Sequence, residues 1–148
     1  MKADLVPLVI ADLYELAGAF RRRGEEIARD VGQTQARWQV LSAASGRPQT
    51  VPQIARALGV TRQNVQRIAD LLVEEGAAEY CDNPDHRASP HLILTKPGRA
   101  AFDGLMKAAA GYHGRIARKL SPSDVASLQS GLRRLLDALA AIDPVNPS

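Results

Sequence analysis

The stretch from Thr50 to Leu72, Thr-Val-Pro-Gln-Ile-Ala-Arg-Ala-Leu-Gly-Val-Thr-Arg-Gln-Asn-Val-Gln-Arg-Ile-Ala-Asp-Leu-Leu, leaves the chain few conformational choices. It predicts two short helices joined by a tight turn. Thr50 can cap the first, with Pro52 in the opening turn, where a missing N–H costs little. Ile54, Ala55 and Leu58 recur at helical spacing and line one buried side. Gly59 suits the left-handed residue that ends a helix, Val60 plugs the turn, and Thr61 caps the second helix. That helix turns Val65, Ile68, Ala69 and Leu72 inward and Gln63, Gln66 and Arg67 outward. With Arg62 and Asn64, the outward residues form a candidate contact set. Gln, Asn and Arg carry donors and acceptors that match base edges in a major groove, and Arg also reaches phosphates. From Arg47 to Ala69 the chain holds four arginines and no acidic residue. A solvated helical hairpin would use the same residue types, so the pattern alone leaves both readings open.

With 148 residues the length suits one domain with a core of its own. Apolar residues make up 45% of the chain and aromatics only 4%, a balance expected of a mainly helical protein. The net charge of +3 excludes a histone-like polycation, so any basic surface must be local. One cysteine excludes an internal disulfide framework and fits a reducing compartment. The apolar run from Leu5 to Ala11 is broken by Pro7, too short to span a membrane, and lacks a signal-cleavage pattern. A cytoplasmic protein with no membrane partner is expected.

Taken in order, residues 7 to about 31 predict one long helix. Leu5, Leu8, Val9, Leu13, Leu16, Ala17, Phe20 and Ile27 form its apolar stripe, Arg21, Arg22 and Arg23 a basic cluster, and Gly32 its end. Thr34 caps a second helix through Trp38, Val40 and Leu41 to about Ala44, and Ser45 to Pro48 is a loop. After the two-helix unit, residues 78–82 and 91–95 predict two strands around the turn-rich segment Asn83 to Pro90, a β-hairpin with Arg87 at its tip. A hairpin directly after a helix-turn-helix is the layout of a winged helix. Thr95 caps a further helix to about Leu120, and Ser121-Pro-Ser-Asp124 opens the last one. There Val125, Leu128, Leu132, Leu135, Leu139 and Ile142 alternate spacings of three and four, a seam that needs a partner helix.

The order and three local signatures resemble the MarR family of winged-helix transcriptional regulators. Gly32-Gln-Thr34 with Trp38-Gln-Val-Leu41 looks like the family's entry to its second helix. Val65-Gln-Arg-Ile68 through Leu72 to Gly76 looks like its recognition helix and exit. Asp85-His-Arg87, then Leu92-Ile-Leu-Thr-Lys-Pro-Gly98, looks like its wing and the helix that follows. The resemblance implies a mainly α fold with a small β-hairpin wing. It further implies a winged lobe over residues 34–95 and dimerisation helices over 1–31 and 96–143 of a single 148-residue domain. It implies a homodimeric, mostly repressing regulator bound to double-stranded DNA at a palindromic operator. Arg62, Gln63, Asn64, Gln66 and Arg67 would face the major groove, and Arg87 the minor groove with Asp85 as its support. Family members often release DNA on binding a small aromatic or anionic effector, for which Tyr14, Phe20, Arg37 and Trp38 are the candidate residues. The chain departs from the family where Ala88-Ser-Pro90 replaces further basic residues of the wing, and the stretch from Asp70 through Asp85 holds six acidic residues.

Enzymatic readings find no support: the chain has no glycine-rich phosphate loop, nucleophile elbow or paired-cysteine motif, and nothing requires a cofactor. Cys81, His86 and His91 gather around the hairpin, but three ligands without a fourth or a paired spacing are a weak metal signal, so no metal is expected. A redox- or metal-responsive regulator and a winged helix used only for protein–protein contact are the alternatives.

Overall fold

The computed structural model describes residues 2–144. Its elements run α1 (Lys2–Arg29), α2 (Gln35–Ser45), β1 (Gln49–Thr50), α3 (Val51–Leu58), α4 (Arg62–Glu74), β2 (Ala78–Cys81), β3 (His91–Leu94), α5 (Lys96–Lys119) and α6 (Pro122–Ile142). The chain packs as two compact units, one ending at Ala109 within α5 and the other beginning at Ala110.

Helix boundaries follow the caps. Thr34, Thr50, Thr61 and Ser121 each accept a backbone N–H from the first turn of the helix they precede. Thr50 and Ser121 complete reciprocal capping boxes with Gln53 and Asp124. Hydrogen bonding to Ser121 holds the Asp124 carboxyl below the usual carboxylate range. At the other ends Gly32, Gly59 and Gly76 all have positive φ. After α1 the amide of Gln33 donates to Ala28 O and that of Gly32 to Arg29 O, the paired bonds of a Schellman motif. Two features differ from the sequence expectation. The first helix begins at Lys2, with Pro7 inside it as the sixth residue, where the helix forgoes the backbone bond that the Pro7 nitrogen cannot donate. The hairpin is also not alone, because β1 adds a third strand in the order β1-β3-β2, all antiparallel. Two residues, Gln49 and Thr50, are too short a run to show strand periodicity.

The core of the first unit is built by the faces that the spacing predicts. Val40, Leu41, Ile54, Val65, Leu72, Leu92 and Leu105 are fully buried, drawn from α2, α3, α4, β3 and α5. Burial of each such side chain contributes roughly 1.5–3 kcal/mol. From α1 only Gly24, Ile27 and Ala28 are buried. At Gly24 the two helices approach closely: a Cβ there would lie 3.0 Å from Gln35 Cγ on α2. Toward the N-terminus of α1, Leu5, Leu8, Val9, Ile10 and Leu16 are exposed. In the second unit α6 buries no residue, and Val125, Leu128, Leu132 and Leu139 of its seam are exposed. Among the described residues no helix is long and apolar enough to cross a membrane.

Candidate nucleic-acid interface

α3 and α4 are held at a fixed angle by the Gly59–Val60 turn, where the Val60 amide reaches back to Ala55 O at 3.1 Å. The outer face of α4 then forms one wall of a groove of about 730 Å³. Arg62, Gln63, Gln66, Arg67 and Asp70 line it from α4, Val51 and Pro52 from α3, and Tyr80 from β2; Ala88, Ser89 and Pro90 close the far side. The turn-rich segment that follows β2 is knitted by Asn83, which is buried. Its Nδ2 donates to Ser89 O at 3.0 Å, and its Oδ1 accepts from the Asp85 amide at 3.0 Å. Arg87 stands exposed in this segment.

Four of the five α4 candidates, Arg62, Gln63, Gln66 and Arg67, therefore share the groove. Asn64 does not: it is half-buried on the other flank of α4, and its Oδ1 accepts from Arg67 Nη2 at 3.1 Å. Asp85 and Arg87 form no ion pair here; the loop is ordered by Asn83 instead. Sequence reading missed Asp70 and Tyr80. Gln66 Nε2 donates to Asp70 Oδ1 and to Tyr80 Oη, each at 2.8 Å, and the Tyr80 hydroxyl donates to Asp70 Oδ1 at 2.6 Å. Burial and the neighbouring Asp70 carboxylate push the Tyr80 phenol up to about 12. One signal was available: Asp70 follows Gln66 by four residues, a spacing that brings side chains together on a helix.

The effector candidates scatter. Behind α4 lies a cleft of about 400 Å³ lined by Ala17, Phe20 and Arg21 of α1, Gln35, Ala36, Gln39 and Val40 of α2, and Leu58, Val60, Asn64, Val65 and Ile68 of the helix-turn-helix. Of the four expected residues only Phe20 lines it. Tyr14 is 75% exposed farther along α1. Trp38 packs partly buried against the core. Arg37 is already engaged: its guanidinium pairs with both Glu75 carboxylate oxygens and its Nε donates to Gln33 Oε1 at 2.9 Å. The hydrogen bond from Arg37 holds the Glu75 carboxyl below its ordinary value. Arg37 thus ties the start of α2 to the end of α4 rather than offering a free cation. The cation beside Phe20 is Arg21, from the basic cluster. Among the described residues no three His, Cys, Asp or Glu side chains gather as a metal site. Cys81 stands opposite His91 across the β2–β3 ladder.

A helix-turn-helix followed by a small antiparallel sheet whose hairpin forms a wing defines a winged-helix protein. A MarR family model matches residues 31–89, the segment from the end of α1 to the wing. The chain is 47% identical over 142 residues to the uncharacterized protein Rv2011c of Mycobacterium tuberculosis, covering 96% of this chain and 99% of that one. Among solved structures it is similar to the transcriptional regulator BldR from Sulfolobus solfataricus, with a TM-score of 0.79 at 15% identity, covering 93% and 99% of the two chains. It is also similar to a cysteine-to-serine mutant of MarR from E. coli complexed with operator DNA, with a TM-score of 0.65 at 23% identity over 90% and 96%. The chain belongs to the MarR family, and its fold is that of transcriptional regulators rather than of enzymes.

Proposed function

We propose that the protein is a DNA-binding transcriptional regulator that acts as a homodimeric, ligand-responsive repressor at a palindromic operator. The observation that carries this reading is the groove on α4, where Arg62, Gln63, Gln66 and Arg67 stand together beside the wing. Arginines there supply phosphate contacts and guanine readout, and the glutamines supply base-edge hydrogen bonds. Arg87, exposed on the wing, reaches the adjacent minor groove, and Asp85 turns to support it when DNA is bound. In the same scheme residues 34–95 are the DNA-binding lobe, while residues 1–31 and 96–143 provide dimerisation helices. The exposed apolar residues of α1 and the α6 seam favour a second copy of the chain as their cover, since contiguous apolar faces of this length rarely remain in water.

The cleft behind α4 suits a small aromatic or anionic effector, with Phe20 as a wall and Arg21 as the cation. Its link to the groove is short. Asn64 lines the cleft, and the oxygen it offers holds Arg67, which lines the groove. An effector that competes for Asn64 changes where Arg67 points.

The test is binding of duplex DNA selected from random sequence, measured against salt concentration. Arg67→Ala and Arg87→Ala should each weaken binding by about 1–3 kcal/mol if the contact is to a base. Wild-type affinity should fall steeply as salt rises, because each phosphate contact releases counterions. Unchanged affinity in both folded variants would show that this surface does not read DNA.

A further inference from the structure

Strand pairing in the hairpin ends at Cys81 and His91. Pro90, next on the returning side, has no N–H with which to extend the ladder into the wing. Beyond that point the backbone makes two turns in series: the His86 amide donates to Asn83 O and the Ser89 amide to His86 O, each at 3.2 Å. Pro84 and Asp85 are the central residues of the first turn, Arg87 and Ala88 those of the second. Neither bond ties one leg of the wing to the other. With these bonds alone, the tip would pivot at His86.

One side chain closes the loop. Asn83 Nδ2 donates to Ser89 O and Asn83 Oδ1 accepts the Asp85 amide, both at 3.0 Å. The first bond joins the outer ends of the two turns, six positions apart. The second locks the first turn from inside. Asn83 is 7% exposed, so water competes poorly for either bond. Among the described residues one other polar residue is buried, Thr50, and it caps α3. Asn83 lies in no helix or strand; what its two bonds hold is the loop that carries Arg87. Of Asp85 they engage the amide and leave the carboxylate available to Arg87. A loop ordered before binding has less freedom to lose on its ligand, and affinity gains by the difference. That gain weighs most in a wing that carries a single arginine.

We propose that Asn83 is the positioning residue of the wing, a buried clamp that presets the turn carrying Arg87 for the minor groove. The inference rests on the DNA-binding reading above.

The experiment has two arms, both on the full chain. Without DNA, magnetic relaxation of the backbone amides gives order parameters along the wing. Wild type should hold residues 85–88 near the rigid value of about 0.85, and Asn83→Ala should lower them below about 0.6 with the helices unchanged. Asn83→Asp keeps the acceptor for the Asp85 amide but turns a second oxygen toward Ser89 O. It serves where Asn83→Ala fails to fold, and should loosen Arg87 and Ala88 while sparing Asp85. With DNA, the duplex that wild type selects from random sequence is titrated with wild type, Asn83→Ala, Arg87→Ala and the double variant. Asn83→Ala should weaken binding about fivefold, but less than about twofold where Arg87 is already alanine. A side chain that merely stabilised the lobe would cost the same in both backgrounds. A mobile wild-type wing, rigid order parameters in the folded variants, equal costs in both backgrounds, or an Arg87→Ala that binds as wild type would each overturn the inference while the α4 groove still reads DNA. A wild-type protein that retains no duplex at low salt would overturn both readings together.

Discussion

Replacing Gly98 by alanine should destabilise the winged lobe, although the same change at an exposed glycine farther along α5 should stabilise the helix that carries it. Gly98 lies in the first turn of α5, where its amide donates to Thr95 Oγ1 at 3.2 Å. A Cβ built at Gly98 would stand 1.7 Å from the Ala77 carbonyl oxygen and 2.8 Å from its carbon. Side-chain carbons essentially never come closer than 3.0 Å, so the two backbones must part by about 1.3 Å, the difference between that floor and 1.7 Å. The obstacle cannot swing aside as a side chain would. Ala77 O accepts the Thr95 amide at 3.1 Å, and the Thr95 hydroxyl donates to Gly76 O, so separation breaks the join between β2, β3 and α5. Overpacking typically costs about 1–3 kcal/mol, and a backbone clash belongs at the upper end. The better helix propensity of alanine returns at most about 1 kcal/mol. A net loss of about 2 kcal/mol corresponds to a midpoint lower by roughly 4–8 °C for a chain of this size. Gly111, exposed and with nothing within 4 Å of its would-be Cβ, is the control; Gly111→Ala should gain about 0.5–1 kcal/mol. Thermal unfolding followed by far-ultraviolet circular dichroism, at matched protein concentration, reads both. A Gly98→Ala midpoint equal to or above wild type would refute the steric reasoning.

The Arg37–Glu75 pair should make a small, pH-dependent contribution to stability. Because the folded-state pKa of Glu75 is depressed, its stabilisation is present above the ordinary value of 4.5 and fades as pH falls through the folded value. Glu75 is half exposed, so the difference between wild type and Glu75→Gln should stay within about 1 kcal/mol at neutral pH and vanish in acid; a constant difference would exclude the pair as its source. For Tyr80 the sign is opposite. Its raised pKa means that stability is fully present below 10.0 and is lost as pH climbs toward about 12. In an ultraviolet titration, Tyr80→Phe should remove a phenol that ionises toward about 12, and Asp70→Ala should bring that ionisation to lower pH; a phenol still ionising there in Tyr80→Phe would contradict the Asp70–Tyr80 contact. Leu132→Glu combined with Leu139→Glu should dissociate the proposed dimer in sedimentation, since charge in an apolar seam lacks compensation. A monomeric wild type at micromolar concentration would remove the dimer from the scheme.

Most of the fold was legible because it is written in local chemistry. Each cap at Thr34, Thr50, Thr61 and Ser121, and each glycine with positive φ, is a residue whose own conformational preference marks a boundary. The inward residues of α4 are equally local, since a period of 3.6 needs no knowledge of what lies opposite. The missing strand β1 had no such signature, because its two residues are strand only by virtue of pairing with His91 and Leu92. The start of the first helix was not legible either, because Pro7, which suits an opening position, is the sixth residue of α1.

The candidate site divides along the same line, between what one element settles and what two must settle together. That Arg62, Gln63, Gln66 and Arg67 point outward follows from α4 alone. What they do there depends on residues distant in sequence: Tyr80, fourteen positions beyond Gln66, accepts a hydrogen bond from its amide nitrogen. Arg37 shows the point most sharply. Beside Trp38 in the sequence it looks like a ligand-binding cation, yet Glu75, thirty-eight positions away, takes its guanidinium. Arg21, one of the basic cluster marked in the sequence, does line the cleft with Phe20, where the close approach at Gly24 brings α1 against α2. Periodicity shows which way a side chain faces but leaves open which partner reaches it first, and at this site the partner determines whether a polar group is still free to bind.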